Sequence, residues 1–133
     1  MEIKSSKTLV EEALKNVETI DSSNAKKLND EQKCTLIDIR DIRELWNEGT
    51  IENAIHVPRG MLEFWLDPQS PYFKKGKFDD LSKKILLFCA GGMRSALAAK
   101  TLKEMGYNNV AHIDGGFGSM KINGFKVIDK DKK

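Results

Sequence analysis

The segment KILLFC at residues 84–89 is the strongest strand pattern of the chain, and SALAAKTLKEMG at 95–106 is its best helix pattern. Further strand patterns lie at ETI (18–20), CTLIDIR (34–40), NAIHVP (53–58) and NVAHIDGG (109–116). Strands that alternate with helices form βαβ units, and these units build a parallel sheet with right-handed crossovers. The order of the patterns therefore predicts an α/β fold.

Helical patterns fill the intervals between the predicted strands, at residues 6–17, 21–30, 41–49 and 117–124. In the first of them, Thr8 and Glu11 have the spacing of a capping box. Asp21, Ser22 or Ser23 would cap the second helix. These capping patterns predict where the helices begin.

The segment after Pro58 departs from the regular alternation. Its prolines prevent a continuous helix or strand, so we expect a helical turn or two and then a long polar loop. Aromatic side chains are concentrated in this insertion (61–80), at Phe64, Trp65, Tyr72 and Phe73. Aromatic clusters usually pack into a core. A wall of the site entrance or a partner-docking patch is the alternative.

The chain of 133 residues is long enough to bury the core of one domain. Apolar residues make up 40% of it and charged residues 32%, the balance of a soluble globular protein. The sequence has neither an internal repeat nor a linker. We therefore predict a single domain over residues 1–133, with an N-terminal helical extension at 1–17 and a polar basic tail at 126–133.

Charge and cysteine content argue against several classes of function. The formal net charge of +2 is too small to favour nucleic acid or an anionic membrane as a partner. The sequence carries no signal-peptide pattern and no segment long enough to span a membrane. Cys34 and Cys89 lie far apart without the spacing of a zinc site, so no metal is expected. Both thiols are expected to stay reduced, in the cytoplasm.

Cys89 stands where the strongest strand ends, and ligands of open α/β sheets collect at the carboxyl ends of strands. Gly91 and Gly92 allow the chain to curl tightly, which directs successive backbone N–H groups inward. The helix that follows, near Ser95, adds its unsatisfied N–H groups and the positive end of its dipole. These features should stabilise a thiolate without a histidine base, and they identify Cys89 as a nucleophile. Cys34 has no such surroundings and is expected to be a small buried hydrophobe.

Four motifs in order resemble the rhodanese (thiosulfate sulfurtransferase-like) family over roughly residues 18 to 125. LIDIRDIRE resembles the family's Asp-x-Arg-x-x-x-Glu signature, and GTIENAIHVPRG its Gly-x-Ile-x-x-Ala-x-x-x-Pro stretch. CAGGMRS is similar to the active loop and HIDGGFGSMKING to the terminal Gly-Gly motif. The matching residues are Asp38, Arg40 and Glu44, then Gly49, Ile51, Ala54 and Pro58, then the loop of Cys89, and last Gly115, Gly116 and Gly124.

The resemblance implies a stand-alone rhodanese-like domain, with a central, mostly parallel five-stranded sheet flanked by helices on both faces. It also implies a sulfurtransferase without a cofactor, which moves a sulfane sulfur from a donor such as thiosulfate to cyanide or a thiol through a Cys89 persulfide. A covalent intermediate of this kind predicts ping-pong kinetics. The persulfide-binding loop would comprise Ala90, Gly91, Gly92, Met93, Arg94 and Ser95. A protein sulfur acceptor stays open as a partner.

Two alternatives belong to other classes. A non-catalytic rhodanese-like binding or sulfur-carrier module is disfavoured because Cys89 is present. Related phosphatases and arsenate reductases place five residues between cysteine and arginine, enough to cradle a tetrahedral oxyanion. Here four residues separate Cys89 from Arg94, and the smaller ring suits a single sulfur better.

Three further charged residues are candidates for supporting roles: Asp38, Arg40 and Arg59. Arg94 could hold an anionic donor, or it could pair with Asp38 and brace the loop. We favour the pairing, because a buried carboxylate at a strand end needs a cation. Arg59 is a second candidate for steering anions, with a solvated surface arginine as the alternative. Met93, if exposed, would shape the mouth of the pocket.

Overall fold

Strands and helices alternate along the chain in a computed structural model that describes residues 2–132. In chain order the elements are α1 (Ser6–Asn16), β1 (Glu18–Ile20), α2 (Ser22–Asp30), β2 (Cys34–Asp38), α3 (Ile42–Glu48), β3 (Thr50–Ile51), β4 (Ile55–His56), a 3-10 turn (Arg59–Met61), α4 (Leu62–Trp65), β5 (Lys84–Phe88), α5 (Met93–Met105), β6 (Val110–Ile113), α6 (Gly116–Ile122) and β7 (Val127–Ile128).

Five strands form one parallel sheet in the order β1-β6-β5-β2-β4. β5 lies in the middle, where its residues Ile85–Phe88 are buried on both faces, as expected of an apolar run without polar alternation. The predicted α/β class and the five-stranded sheet are confirmed. Since all five strands run in the same direction, their carboxyl ends meet at one edge, and the chain leaves β5 there at Cys89.

Helices cover both faces of the sheet, each over its own apolar cluster. On one face α5 contributes Ala98, Ala99 and Leu102, and α4 adds Leu62. α1 packs against α5, with Ala13 fully buried. On the other face α2 and α6 pack over the sheet through residues that include Ala25, Phe117 and Met120. The predicted arrangement of helices on both faces is therefore confirmed.

The structure corrects the predicted cap of the first helix and the predicted start of α5. α1 is capped by Ser5, whose hydroxyl accepts the Thr8 amide at 3.0 Å, so the predicted capping box of Thr8 and Glu11 is wrong. α2 is capped by Asp21, one of the three candidates. α5 begins at Met93, two residues before the predicted start, because Gly92 takes a left-handed conformation (φ +112°) and serves as the N-cap.

The stretch predicted as a polar tail (126–133) contains a strand. Val127 and Ile128 form β7, which pairs antiparallel with the equally short β3. Two residues are too few to show a periodic pattern in the sequence. Gly49 permits the close approach, since a Cβ on it would lie 2.6 Å from the Ile128 carbonyl oxygen.

The insertion forms the expected short helical turns and then a long loop. Trp65 packs against the core, and Phe73 is partly buried. Phe64 and Tyr72 are exposed and meet edge to face with their ring centroids 6.4 Å apart. The aromatic cluster is thus divided between packing and surface. Within residues 2–132 no helix has both the length and the apolar character that a membrane span requires.

Candidate active site

The Cys89 sulfur lies at the N-terminus of α5, directly after the central strand. Its side chain is almost wholly buried, with 1% of the residue exposed. Sγ accepts hydrogen bonds from the backbone amides of Gly92 at 3.1 Å and Ser95 at 3.4 Å. The first amides of a helix lack partners inside the helix and stand at the positive end of its dipole. Two such donors directed at one sulfur favour an anionic sulfur at that place.

The loop from Ala90 to Arg94 forms the rim above this sulfur. Ala90 and Gly91 are exposed, and Met93 has 68% of its surface in solvent. A Cβ on Gly91 would meet nothing within 4 Å, so the space outside the loop is open. The exposed Met93 places a flexible apolar side chain on the rim, where an incoming molecule would contact it.

The backbone that follows the Gly115-Gly116 pair donates hydrogen bonds to the cysteine loop. The Phe117 amide donates to the Cys89 carbonyl at 2.8 Å, and the Gly118 amide to the Ala90 carbonyl at 3.4 Å. Gly116 has φ +55°, and a Cβ there would collide with the carbonyl oxygen of Cys89. Only a glycine lets α6 approach this closely. The terminal motif therefore positions the loop, a role that the sequence pattern alone did not reveal.

Arg94 does not pair with Asp38, and this expectation from the sequence is corrected. Both terminal nitrogens of Arg94 donate to the carboxylate of Glu44 on α3, at 2.8 and 2.9 Å. The Arg94 hydrogen bonds hold the pKa of Glu44 below its usual value. Glu44 also accepts the Asp41 amide in the capping box of α3, which fixes the carboxylate beside the loop. Arg94 therefore braces the loop through the carboxylate of Glu44 and not through that of Asp38.

Asp38 instead pairs with Arg40, and both side chains are fully buried. Asp38 accepts Arg40 Nη2 at 2.8 Å and the hydroxyl of Thr50 at 2.8 Å. Arg40 also donates to the carbonyl of Gly49 at 2.8 Å. Its guanidinium lies 4.0 Å from the ring centroid of Phe117, beside the Gly116 turn. The pair thus joins β2, the β3 corner and α6 beneath the site.

Arg59 is half-exposed and already has partners. It donates to Glu63 at 2.9 Å and to the hydroxyl of Thr101 on α5 at 3.2 Å. These contacts tie the 3-10 turn to α5. Steering of anions by Arg59 stays a prediction.

A line of hydrogen-bonding side chains leads away from Cys89 through Ser95 and His112 to Thr19. The Ser95 hydroxyl oxygen lies 3.6 Å from Cys89 Sγ and 3.1 Å from His112 Nδ1. His112 Nε2 lies 2.9 Å from the Thr19 hydroxyl. Burial lowers the pKa of His112, so the imidazole is neutral at neutral pH. Sequence reasoning missed this connection, because the adjacency of β6 to β1 and β5 cannot be read from spacing along the chain.

Cys34 lies at the opposite edge of the sheet, because it is the first residue of β2 while Cys89 follows the last residue of the neighbouring β5. Both cysteines are free. Burial raises the pKa of the Cys34 thiol to about 11. Cys34 is therefore a protonated, packed thiol at neutral pH.

Two other features fall outside the site. A groove of about 590 Å³ lies between the insertion and the end of α5, with Phe73, Phe78, Ile85 and Tyr107 in its lining. It opens at the amino end of the strands, far from Cys89. Among the described residues, no group of three or more His, Cys, Asp or Glu side chains could hold a metal ion.

The comparisons with known proteins agree with this geometry. The family model of the Rhodanese-like domain matches residues 21–123. A curated relative, the tRNA uridine(34) hydroxylase of Prochlorococcus marinus (strain MIT 9312), is 38% identical over 100 residues. The match covers 73% of this chain and 31% of the relative, so this chain spans about a third of the length of that protein.

Two solved structures are similar over nearly the whole chain. One is a protein of unknown function from Rhodopseudomonas palustris, described as a possible tyrosine phosphatase, with 42% identity, a TM-score of 0.88 and coverage of 96% of this chain and 97% of that one. The other is the polysulfide-sulfur transferase homodimer of Wolinella succinogenes, with 31% identity, a TM-score of 0.72 and coverage of 93% and 87%.

Proposed function

Since this chain belongs to the rhodanese-like domain family, we propose that it is a sulfurtransferase in which Cys89 carries the transferred sulfur. The observation that supports this most is the position of Cys89 Sγ, which receives the amides of Gly92 and Ser95 at the N-terminus of α5. The similarity to the polysulfide-sulfur transferase of Wolinella succinogenes agrees with the same chemistry.

In the first half of the proposed reaction, the Cys89 thiolate attacks the outer sulfur of a donor such as thiosulfate. A new S–S bond forms on Cys89, the S–S bond of thiosulfate breaks, and sulfite leaves with the bonding electron pair. The outer sulfur of the persulfide carries the negative charge. Amide donors of residues 90–95 that are already oriented would stabilise this anion without reorganising.

In the second half, cyanide or a thiolate attacks the outer sulfur of the persulfide. The Cys89 S–S bond breaks, the acceptor takes the sulfur, and the Cys89 thiolate returns. Arg94 is held at the rim by Glu44 with 43% of its side chain exposed, so its charge can attract an anionic donor while it braces the loop. We further propose that acceptors approach over the exposed Met93, with a protein thiol among them.

Intact mass spectrometry after incubation with thiosulfate tests the proposal. We expect the gain of one sulfur atom, reversed by cyanide and absent in Cys89→Ser. Cys34→Ser is the matched control, because it replaces the other cysteine sulfur by oxygen at the opposite edge of the sheet. The Cys34→Ser variant should gain one sulfur atom as the unsubstituted protein does. An unmodified mass with thiosulfate, polysulfide and a protein persulfide as donors would contradict catalysis and favour a binding module.

Phosphate ester hydrolysis is a second candidate, since the Rhodopseudomonas palustris neighbour is described as a possible tyrosine phosphatase. The four-residue interval between Cys89 and Arg94 argues against it, because the smaller ring suits a single sulfur better than a tetrahedral phosphate. Arg94 is in addition already paired with Glu44 at the rim. Hydrolysis of an aryl phosphate that depends on Cys89 would support the phosphatase over the sulfurtransferase.

The name of the Prochlorococcus relative offers a third candidate, hydroxylation of a tRNA uridine. This chain matches 31% of that protein, and its net charge of +2 does not favour a polyanionic partner. Mass analysis of nucleosides from tRNA incubated with the chain would show an added oxygen on uridine if this activity resided here. We expect unchanged tRNA.

A further inference from the structure

A continuous line of hydrogen-bonding groups runs from the buried sulfur to the protein surface. Ser95 in the first turn of α5 is fully buried, and His112 on β6 is 2% exposed. Thr19 lies directly beside His112 in the register of β1 and β6, and it is exposed to solvent. The three side chains follow Cys89 in the order Ser95, His112, Thr19. The distances between successive polar atoms are 3.6, 3.1 and 2.9 Å.

We propose that Ser95, His112 and Thr19 form a proton relay between the Cys89 thiol and solvent. The inference rests on the proposed sulfur transfer, because that reaction starts from a thiolate and returns to one. Cys89 is 1% exposed, and the relay gives its proton a path to solvent that does not run through the entrance used by the sulfur donor and acceptor. Ser95 touches the reacting atom, whereas His112 and Thr19 act through it and are positioning residues.

The proton positions balance in both states of the relay. With Cys89 as a thiol, S–H donates to Ser95 Oγ, Ser95 O–H donates to His112 Nδ1, and Nε2–H donates to the Thr19 hydroxyl oxygen. On ionisation each group passes one proton outward, and the Thr19 proton goes to water. Thr19 O–H then donates to Nε2, Nδ1–H donates to Ser95 Oγ, and Ser95 O–H donates to the sulfur anion.

This exchange leaves the imidazole neutral before and after, with its proton moved from Nε2 to Nδ1. Burial lowers the pKa of His112, and the nearby Asp114 acts in the opposite direction as the smaller influence. On the sulfur side, the hydrogen bonds to Glu44 raise the pKa of Arg94 most, and the charges of Cys89 and Asp38 act on it in the same direction as smaller influences. The carbonyl of Gly92 lies 3.2 Å from the Ser95 hydroxyl and competes for its single proton, so the relay requires the hydroxyl to turn from this carbonyl toward the ring or the sulfur.

The tautomer of His112 gives a direct test, since a purely structural histidine would keep one tautomer. Nitrogen NMR of labelled protein should show protonated Nε2 in the thiol at acidic pH and protonated Nδ1 in the thiolate. Cys89→Ser is the control, because its hydroxyl stays protonated over the whole range and the tautomer should not change. One tautomer in all states of the unsubstituted protein would overturn the relay.

Thr19 permits a second test that leaves the core intact, because the residue is exposed. Thr19→Val keeps the β-branched shape without the hydroxyl, and Thr19→Ser keeps the hydroxyl. Thr19→Val removes a hydrogen bond from both states, since the hydroxyl accepts from Nε2–H in the thiol and donates to Nε2 in the thiolate. The pH profile of Cys89 alkylation by iodoacetamide should therefore shift by about half a pH unit to one unit, in the direction set by the costlier of the two losses. The plateau at high pH should stay the same, and Thr19→Ser should follow the unsubstituted protein. Superimposed profiles for all three would overturn the relay.

The experiments can contradict sulfur transfer and the proton relay independently of each other. Absence of a sulfur adduct in the mass spectrum contradicts sulfur transfer, while the tautomer change with pH still tests the relay on the thiol alone. A sulfur adduct together with an unchanged tautomer contradicts the relay and leaves sulfur transfer standing.

Discussion

At the scale of single residues, two cysteines in one small protein have opposite surroundings. Cys89 Sγ receives two helix amides, whereas Cys34 has its pKa raised to about 11 by burial. A thiol reacts with alkylating agents as the thiolate. The two cysteines should therefore differ in how fast they are alkylated.

We expect iodoacetamide at pH 7.5 to label Cys89 and to leave Cys34 unmodified in the folded protein. At that pH, more than three pH units below its pKa, about one Cys34 thiol in a thousand or fewer is ionised. Peptide mapping after labelling measures both sites. Labelling of Cys34 at the rate of Cys89 would contradict the prediction, and unfolding in urea should make the two sites equal.

The Arg94–Glu44 pair gives a prediction about stability and pH. Glu44 has a pKa below its unfolded value, so its stabilising effect is present above the unfolded pKa and disappears as the pH falls through the folded pKa. Glu44→Gln should cost about 0.5–1 kcal/mol at pH 7, a small value because both side chains are partly exposed. Urea unfolding at pH 7 and pH 3 measures it, and the difference should be smaller at pH 3 than at pH 7. An equal cost at both pH values would show that charge is not the cause.

At the scale of elements, the site depends on how closely α6 approaches the loop after β5. Gly116 permits this approach, and the Arg40–Phe117 contact holds α6 in place from the other side. A change in α6 should therefore reach the sulfur through the backbone of the cysteine loop.

Gly116→Ala should destabilise the fold by at least about 2 kcal/mol, because the new Cβ meets the Cys89 carbonyl and the backbone is left-handed there. It should also reduce persulfide formation with thiosulfate. Gly118→Ala in the same helix is the matched control, since a Cβ at that position meets nothing within 4 Å. Thermal unfolding and intact mass measure the two effects. Equal behaviour of the two variants would rule out the close approach as the cause.

At the scale of the whole molecule, the protection of backbone amides from hydrogen exchange should decrease outward from the central strands. β5 is paired on both sides and covered on both faces, whereas β7 pairs with the two residues of β3. Val127 and Ile128 are also partly exposed, at 38% and 36%. Cooperative units of high stability form where burial and pairing are complete.

Hydrogen exchange should show this gradient. We expect amides of β5 and the adjacent β2 and β6 to exchange only by global unfolding, and those of β7 to exchange by local opening. The slowest amides should give a free energy equal to that from urea unfolding. Protection of β7 equal to that of β5 would contradict the gradient.

The sequence by itself determined the α/β class, the strand that ends at Cys89 and the helix whose amides meet the sulfur. These features are local, because a run such as KILLFC and a glycine turn before a helix act through neighbouring residues. Only the tertiary structure decided which distant residues meet. It paired Arg94 with Glu44 in place of Asp38, brought Gly116 under the loop, and set His112 between Ser95 and Thr19. Such contacts follow from strand order and register, which spacing along one chain does not encode.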